Sequence, residues 1–246
     1  MRIKRCTSKG KPLLNYLSTI RLFVMCALIF VAALPFWNIE EVHAQYPHFY
    51  AGYKLFSYEE YAGEGVTGTI YTINPYLGYQ CDLYESVAVV FSYYYMWGLI
   101  FGYGKGHLTD FYVPKYFLSK ADGWGYGLIP SSNGPSPGSS HTYYITHPYG
   151  YEQSDDPTLW EFYVDYTQLF FTHTYGIYEA KDEQAYVETI GWTPDISGSH
   201  FSGLKQLVEY RQYWRWRLWS THQKYESYPY VVTEVSNFEF YANGGG

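Results

Sequence analysis

From Val66 onward apolar and polar residues alternate in short runs that Gly, Pro, Asn and Asp interrupt. A two-residue period is the mark of strands with one buried face. The clearest runs are 66–71, 86–97, 111–120, 142–146, 159–165, 168–173, 184–190, 213–219 and 238–241, and Tyr, Phe, Trp, Val and Thr dominate them. Those side chains suit a pleated surface. Helical spacing is confined to 202–210, where Leu204, Leu207 and Val208 predict either a helix or a loop and strand. With no helices alternating with the strands, the expected fold is all-β: an antiparallel two-sheet sandwich of the jelly-roll type.

The first 44 residues break this pattern. Arg2, Lys4, Arg5, Lys9, Lys11 and Arg21 precede an apolar run over 22–37, and Val42-His43-Ala44 then offers small or modest residues at the first and third positions. That order predicts a secretion signal cleaved before Gln45, leaving an extracellular protein with no membrane anchor. The retained-anchor alternative needs about 20 apolar residues, more than this run holds. A Tyr-rich N-terminal arm over 45–63 and a sandwich domain over 64–246 would follow. Within the domain, 130–140 is rich in Gly, Pro and Ser and predicts a flexible surface connection in one sandwich.

Charge narrows the partners. The whole chain carries -7, and losing the basic leader makes the remainder more acidic still, which argues against a nucleic-acid ligand. Cys81 would be the one cysteine left; no internal disulfide is then possible, and a small buried hydrophobe is its expected role. With 32 tyrosines in the chain, rings that are apolar in body and polar at the tip are available to pave either the sheet surfaces or a groove that takes an extended peptide or polysaccharide.

Several motif matches carry no chemistry. Gly134-Pro135-Ser136-Pro137-Gly138 has the form of a nucleophile elbow, but its prolines cannot make the strained strand-to-helix turn. The glycines over 102–106 lack the helix that would present amides to phosphate, and are expected instead to let a group approach the sheet. His141 and His147 stand about 20 Å apart along a strand, too far to share a metal. Neither a metal nor a cofactor is expected.

Three segments present polar groups on one strand face. Gln184, Tyr186 and Glu188 alternate with Ala185 and Val187; Arg215 and Arg217 alternate with Trp214, Trp216 and Leu218; Glu161 and Asp165 stand opposite Trp160, Phe162 and Val164. If the first two segments were neighbours, an arginine could lie beside Glu188. The order of features resembles the secreted glutamic peptidases, notably the neprosin type. It comprises Gly65-Val66-Thr67-Gly68-Thr69-Ile70, the Gly-interrupted Trp97-Gly98-Leu99-Ile100-Phe101-Gly102-Tyr103, then Gln184-Ala185-Tyr186-Val187-Glu188 and Ser199-His200-Phe201-Ser202.

That resemblance implies a concanavalin-like sandwich with a groove across the concave sheet. It also implies peptide cleavage by a Glu paired with Glu or Gln, one carboxylate activating water while its partner steadies the oxyanion. Glu188 takes the later catalytic position, and the earlier position falls at Ile100, which can neither donate nor accept. Gln184, Tyr186, Tyr103, Arg215 and Arg217 are the expected binding residues. The reading that follows is a neprosin-like groove for an extended polymer, without a complete dyad. The alternatives are an active glutamic-type endopeptidase using Glu188, a glycan-binding or glycan-hydrolysing module, and a surface protein that forms homo-oligomers by strand pairing.

Overall fold

The structure, a computed structural model, describes residues 46–56, 64–92, 97–122, 125–147, 156–174, 180–210 and 213–246. The expected signal segment lies outside them, as do residues 57–63 of the expected arm. The described elements are all strands: β1 (His48–Phe56), β2 (Gly65–Tyr71), β3 (Asp82–Ser92), β4 (Trp97–Gly106), β5 (Phe111–Asp122), β6 (Gly125–Pro130), β7 (Ser140–Thr146), β8 (Leu159–Val164), β9 (Thr167–His173), β10 (Asp182–Ile190), β11 (Ser199–Tyr210), β12 (Tyr213–Leu218), β13 (Gln223–Glu226), β14 (Val231–Ser236) and β15 (Glu239–Asn243).

They form two antiparallel sheets. The first runs β13-β1-β10-β3-β4-β5-β6; the second runs β14-β15-β11-β2-β7-β8-β9, with β12 added beside β11. Alternation sets the packing. Ala51 and Tyr53, Ala185 and Val187, Val87 and Val89, and Leu99 and Phe101 point from the first sheet into one core with Val66, Ile70, Tyr143, Ile145, Trp160, Phe162 and Phe201. Phe101 is the hub of one aromatic cluster, its centroid 5.5 Å from both Tyr143 and Phe162. Phe240 anchors another, stacked on Phe201 at 4.7 Å and tilted against Tyr53 at 4.3 Å. Burying a Phe side chain contributes about 1.5–3 kcal/mol, so these rings hold the two layers together.

Three features differ from expectation, each for a local reason. Residues 202–210 lie within β11: the register slips between Ser202 and Lys205 around Gly203, whose φ is +61°. That bulge lets Phe201 and Leu204 both be buried, so a three-residue spacing that imitates a helix belongs to a bent strand. Residues 48–56 do not stand off as an arm; β1 is inserted between β13 and β10. The 130–140 stretch connects the two sheets but is pinned along its length, Tyr116 N donating to Asn133 O at 3.1 Å, Ser131 N to Tyr116 O at 2.9 Å and Gly138 N to Thr72 O at 2.9 Å.

The core also contains acids. Glu85 of β3 and Glu183 of β10 point inward and are fully buried. Burial pushes Glu85 up to about 8, although Ser199 and the Ile73 N–H favour its charged form. Glu183 is held well above the ordinary carboxylate range, by burial first and by neighbouring Asp182 second. Both are therefore protonated at mildly acidic pH.

Candidate functional site

The outer face of the first sheet is set by register. On β10 it presents Asp182, Gln184, Tyr186 and Glu188, while Ala185 and Val187 are fully buried on the core side. Across the sheet, Glu188 shares a row with Tyr50, Tyr84 and Gly104; Tyr186 with Gly52, Ser86 and Gly102; and Gln184 with Lys54, Ala88, Ile100 and Ser119.

Glu188 is held from β1. Its Oε1 lies 2.6 Å from His48 Nδ1, and the Tyr50 hydroxyl is 3.3 Å from the same nitrogen. The pair is partly open, with 32% of the His48 side chain and 16% of the Glu188 side chain exposed. Tyr50, Tyr186 and Tyr225 continue the surface as a run of tilted and edge-on rings, successive centroids 6.2 Å apart. Such contacts fix the rings in place, and the Tyr225 hydroxyl donates to Gln184 Oε1 at 3.5 Å.

A second polar pair sits along the same strand. Gln184 Nε2 donates to Asp182 Oδ2 at 3.2 Å, and burial raises the Asp182 carboxyl to about 7, with Gln184 and Lys54 opposing the shift. Lys54 and Asp182 were not singled out by sequence. Strand alternation places both on this face, but the pairing of β1 with β10 that joins them is a long-range contact.

The outer glycines of β4 admit the chain's own aromatic ring. A Cβ on Gly104 would stand 2.6 Å from Tyr84 Cδ1, so that ring lies across the strand, and it meets Phe117 edge-on at 5.1 Å. Ring-over-glycine packing of this kind steadies strands that glycine would weaken.

The other expected site residues fall elsewhere. Tyr103 points into the core, fully buried, its hydroxyl accepting from Ile73 N at 2.8 Å; its odd position on β4 puts it opposite the outer glycines. Arg215 and Arg217 are exposed on β12, which pairs with β11 in the second sheet. The juxtaposition with Glu188 that adjacent strands would have given therefore does not occur. Ile100 lies in the row of Gln184, not that of Glu188. Two strand spacings across and four residues along put Ile100 roughly 17 Å from Glu188, beyond direct partnership. Cys81 is buried, its thiol pushed up to about 11 chiefly by desolvation, with Trp192 O accepting from Sγ at 3.6 Å.

Two antiparallel sheets in this order form a β-sandwich whose fold is like that of solved glutamic peptidases. The likeness extends to particular solved structures. SCP-B, a member of the eqolisin family of peptidases in complex with the tripeptide Ala-Ile-His, superposes with a TM-score of 0.56 at 10% identity over 81% of this chain and 100% of that one. Scytalido-glutamic peptidase with a peptide-based transition-state analog gives 0.56 at 9% identity over the same shares. At such identities the likeness defines the fold. No protein-family model matches the chain, and no curated protein matches it in sequence.

Proposed function

We propose that the chain is a secreted, neprosin-like sandwich that binds an extended peptide across the outer face of its first sheet and does not cleave it. The observation that carries this reading is the composition of the Glu188 row. Glu188 is engaged by His48 at 2.6 Å, and the positions beside it across the sheet are Tyr50, Tyr84 and Gly104. None supplies the amide or second carboxyl that water activation and oxyanion stabilisation need. What the face does offer, along β13, β1 and β10, is the half-buried rings of Tyr50 and Tyr225 and a partly open ion pair, features suited to a polymer lying along those strands. The solved relatives of this fold were captured with a tripeptide and a peptide-based analog, which favours peptide over polysaccharide.

Incubation of a denatured protein substrate with the purified chain between about pH 3 and pH 7, the span of carboxyl titration, is expected to yield no products above background. Losing one oxyanion donor typically costs about 100- to 1000-fold. Cleavage abolished by Glu188→Gln would overturn the reading. Cleavage abolished instead by Asp182→Asn would favour a second one, an acid peptidase built on the Asp182–Gln184 pair, whose carboxyl at about 7 and amide at 3.2 Å form an acid–amide couple.

A further inference from the structure

Away from that face, at the start of β7, three side chains stand in line. Ser139 Oγ lies 2.8 Å from His141 Nε2, and His141 Nδ1 lies 2.6 Å from Asp165 Oδ2. Asp165 sits in the β8–β9 turn with φ of 47°. Its Oδ1 accepts from Thr142 N at 2.9 Å while its own N–H donates to Thr142 O at 2.9 Å, so both ends of the residue are fixed to β7. Such a carboxylate holds the imidazole in one tautomer, Nδ1–H toward the acid and the Nε2 lone pair toward the serine. Tyr116 closes the other side of the imidazole edge-on, at 6.3 Å.

Space for a reactant begins at Gly138, the residue before the serine. Gly138 precedes it with φ of +82°, and a Cβ there would meet only the Tyr71 hydroxyl, at 3.7 Å. Gly138 and Tyr71 line a cleft of about 930 Å³ whose walls include Tyr76, Trp192, Asn74 and Asp195. Tyr76 is 90% and Trp192 68% exposed. The cleft therefore offers flat apolar walls, with the Tyr71 phenol near Gly138 as a donor for a developing oxyanion.

We propose that Ser139, His141 and Asp165 form a nucleophilic triad that hydrolyses carboxylic esters with an apolar or aromatic group, which the cleft receives. Ser139 Oγ bonds to the ester carbonyl carbon as its proton passes to His141 Nε2. The imidazolium returns that proton to the departing alcohol. Water then attacks the acyl-serine, its proton again taken by Nε2, and the acid leaves with Ser139 restored. The Ser139 hydroxyl has a competing acceptor in Ser136 O at 2.5 Å, and only transfer to the imidazole makes a nucleophile.

The test is labelling of the full chain with a fluorophosphonate, which forms a P–O bond to an activated serine with loss of fluoride, followed by peptide mapping and by turnover of a p-nitrophenyl ester. The triad predicts one adduct, on Ser139 of the wild-type protein, and ester turnover lost in Ser139→Ala. It also predicts labelling slowed about 100-fold or more in His141→Gln, the usual effect of removing a general base. No adduct, an adduct on another residue, or an unchanged rate in His141→Gln would overturn the proposal. Mapping on the wild-type protein decides the site even if a variant fails to fold, and a purely structural Ser139–His141–Asp165 strut would alter melting without any adduct forming.

Discussion

The protein is expected to lose stability as pH rises from 5 to 8, by on the order of 3–4 kcal/mol from Glu85 alone. The folded pKa of Glu85 is about 8 against an ordinary value of 4.5. Below the ordinary value both states hold the proton; between the two values only the folded state does, so each pH unit costs about 1.4 kcal/mol; above the folded value both have lost it and no further cost accrues. Asp182, raised to about 7, adds in the same direction, and so does Glu183. At roughly 2–4 °C per kcal/mol for a chain of this size, the melting temperature at pH 5 should exceed that at pH 8 by more than about 10 °C. Glu85→Gln should flatten the dependence, because its side chain stays neutral in both states. A melting temperature independent of pH between 5 and 8, or one that rises, would contradict the burial of these acids in protonated form.

Gly102→Val is expected to abolish folding. A Cβ at Gly102 would stand 1.9 Å from Glu85 O and 2.7 Å from Ser86 Cα, both backbone atoms of β3. With β5 hydrogen-bonded on its other side, β4 has no room to slide away. The cost should exceed about 4 kcal/mol, the range that marks a specific structural conflict, although valine is the better strand former. Gly127 on β6 is the control, since nothing lies within 4 Å of a Cβ there; Gly127→Val should leave melting nearly unchanged. Soluble Gly102→Val protein with a wild-type melting profile would refute the register of β3 with β4.

Much of the fold was legible because the signal was local. The two-residue period along 184–188 separates Ala185 and Val187 from Gln184, Tyr186 and Glu188 without any knowledge of neighbours, and the structure keeps that division. Elements with broken periods were harder. β1 contains Gly52, whose absent side chain is required by Ala185 O at 2.4 Å, a reason visible only once β10 is beside it. β11 hides its alternation behind a bulge.

The candidate site was legible in part for the same reason. Alternation placed Glu188 on a polar face, but His48 lies 140 residues away in sequence, and no pattern along the chain pairs them. The same holds for Arg215 and Arg217, whose own alternation is plain while their sheet is not. Tyr103 shows the converse: a tyrosine at the end of a glycine-rich strand suggests a ligand surface, and parity on β4 turns it inward to meet Ile73 N.

The proposed function turns on where an extended peptide binds. Titration of a fluorescent, unstructured peptide of about ten residues into the wild-type protein, Tyr50→Ala, Glu188→Gln and Arg217→Ala gives the answer. The outer face of the first sheet predicts affinity weakened at least about tenfold, or ~1.4 kcal/mol, in the Tyr50 and Glu188 variants, and unchanged in Arg217→Ala on the second sheet. Equal affinity in all four proteins, or a loss confined to Arg217→Ala, would contradict it.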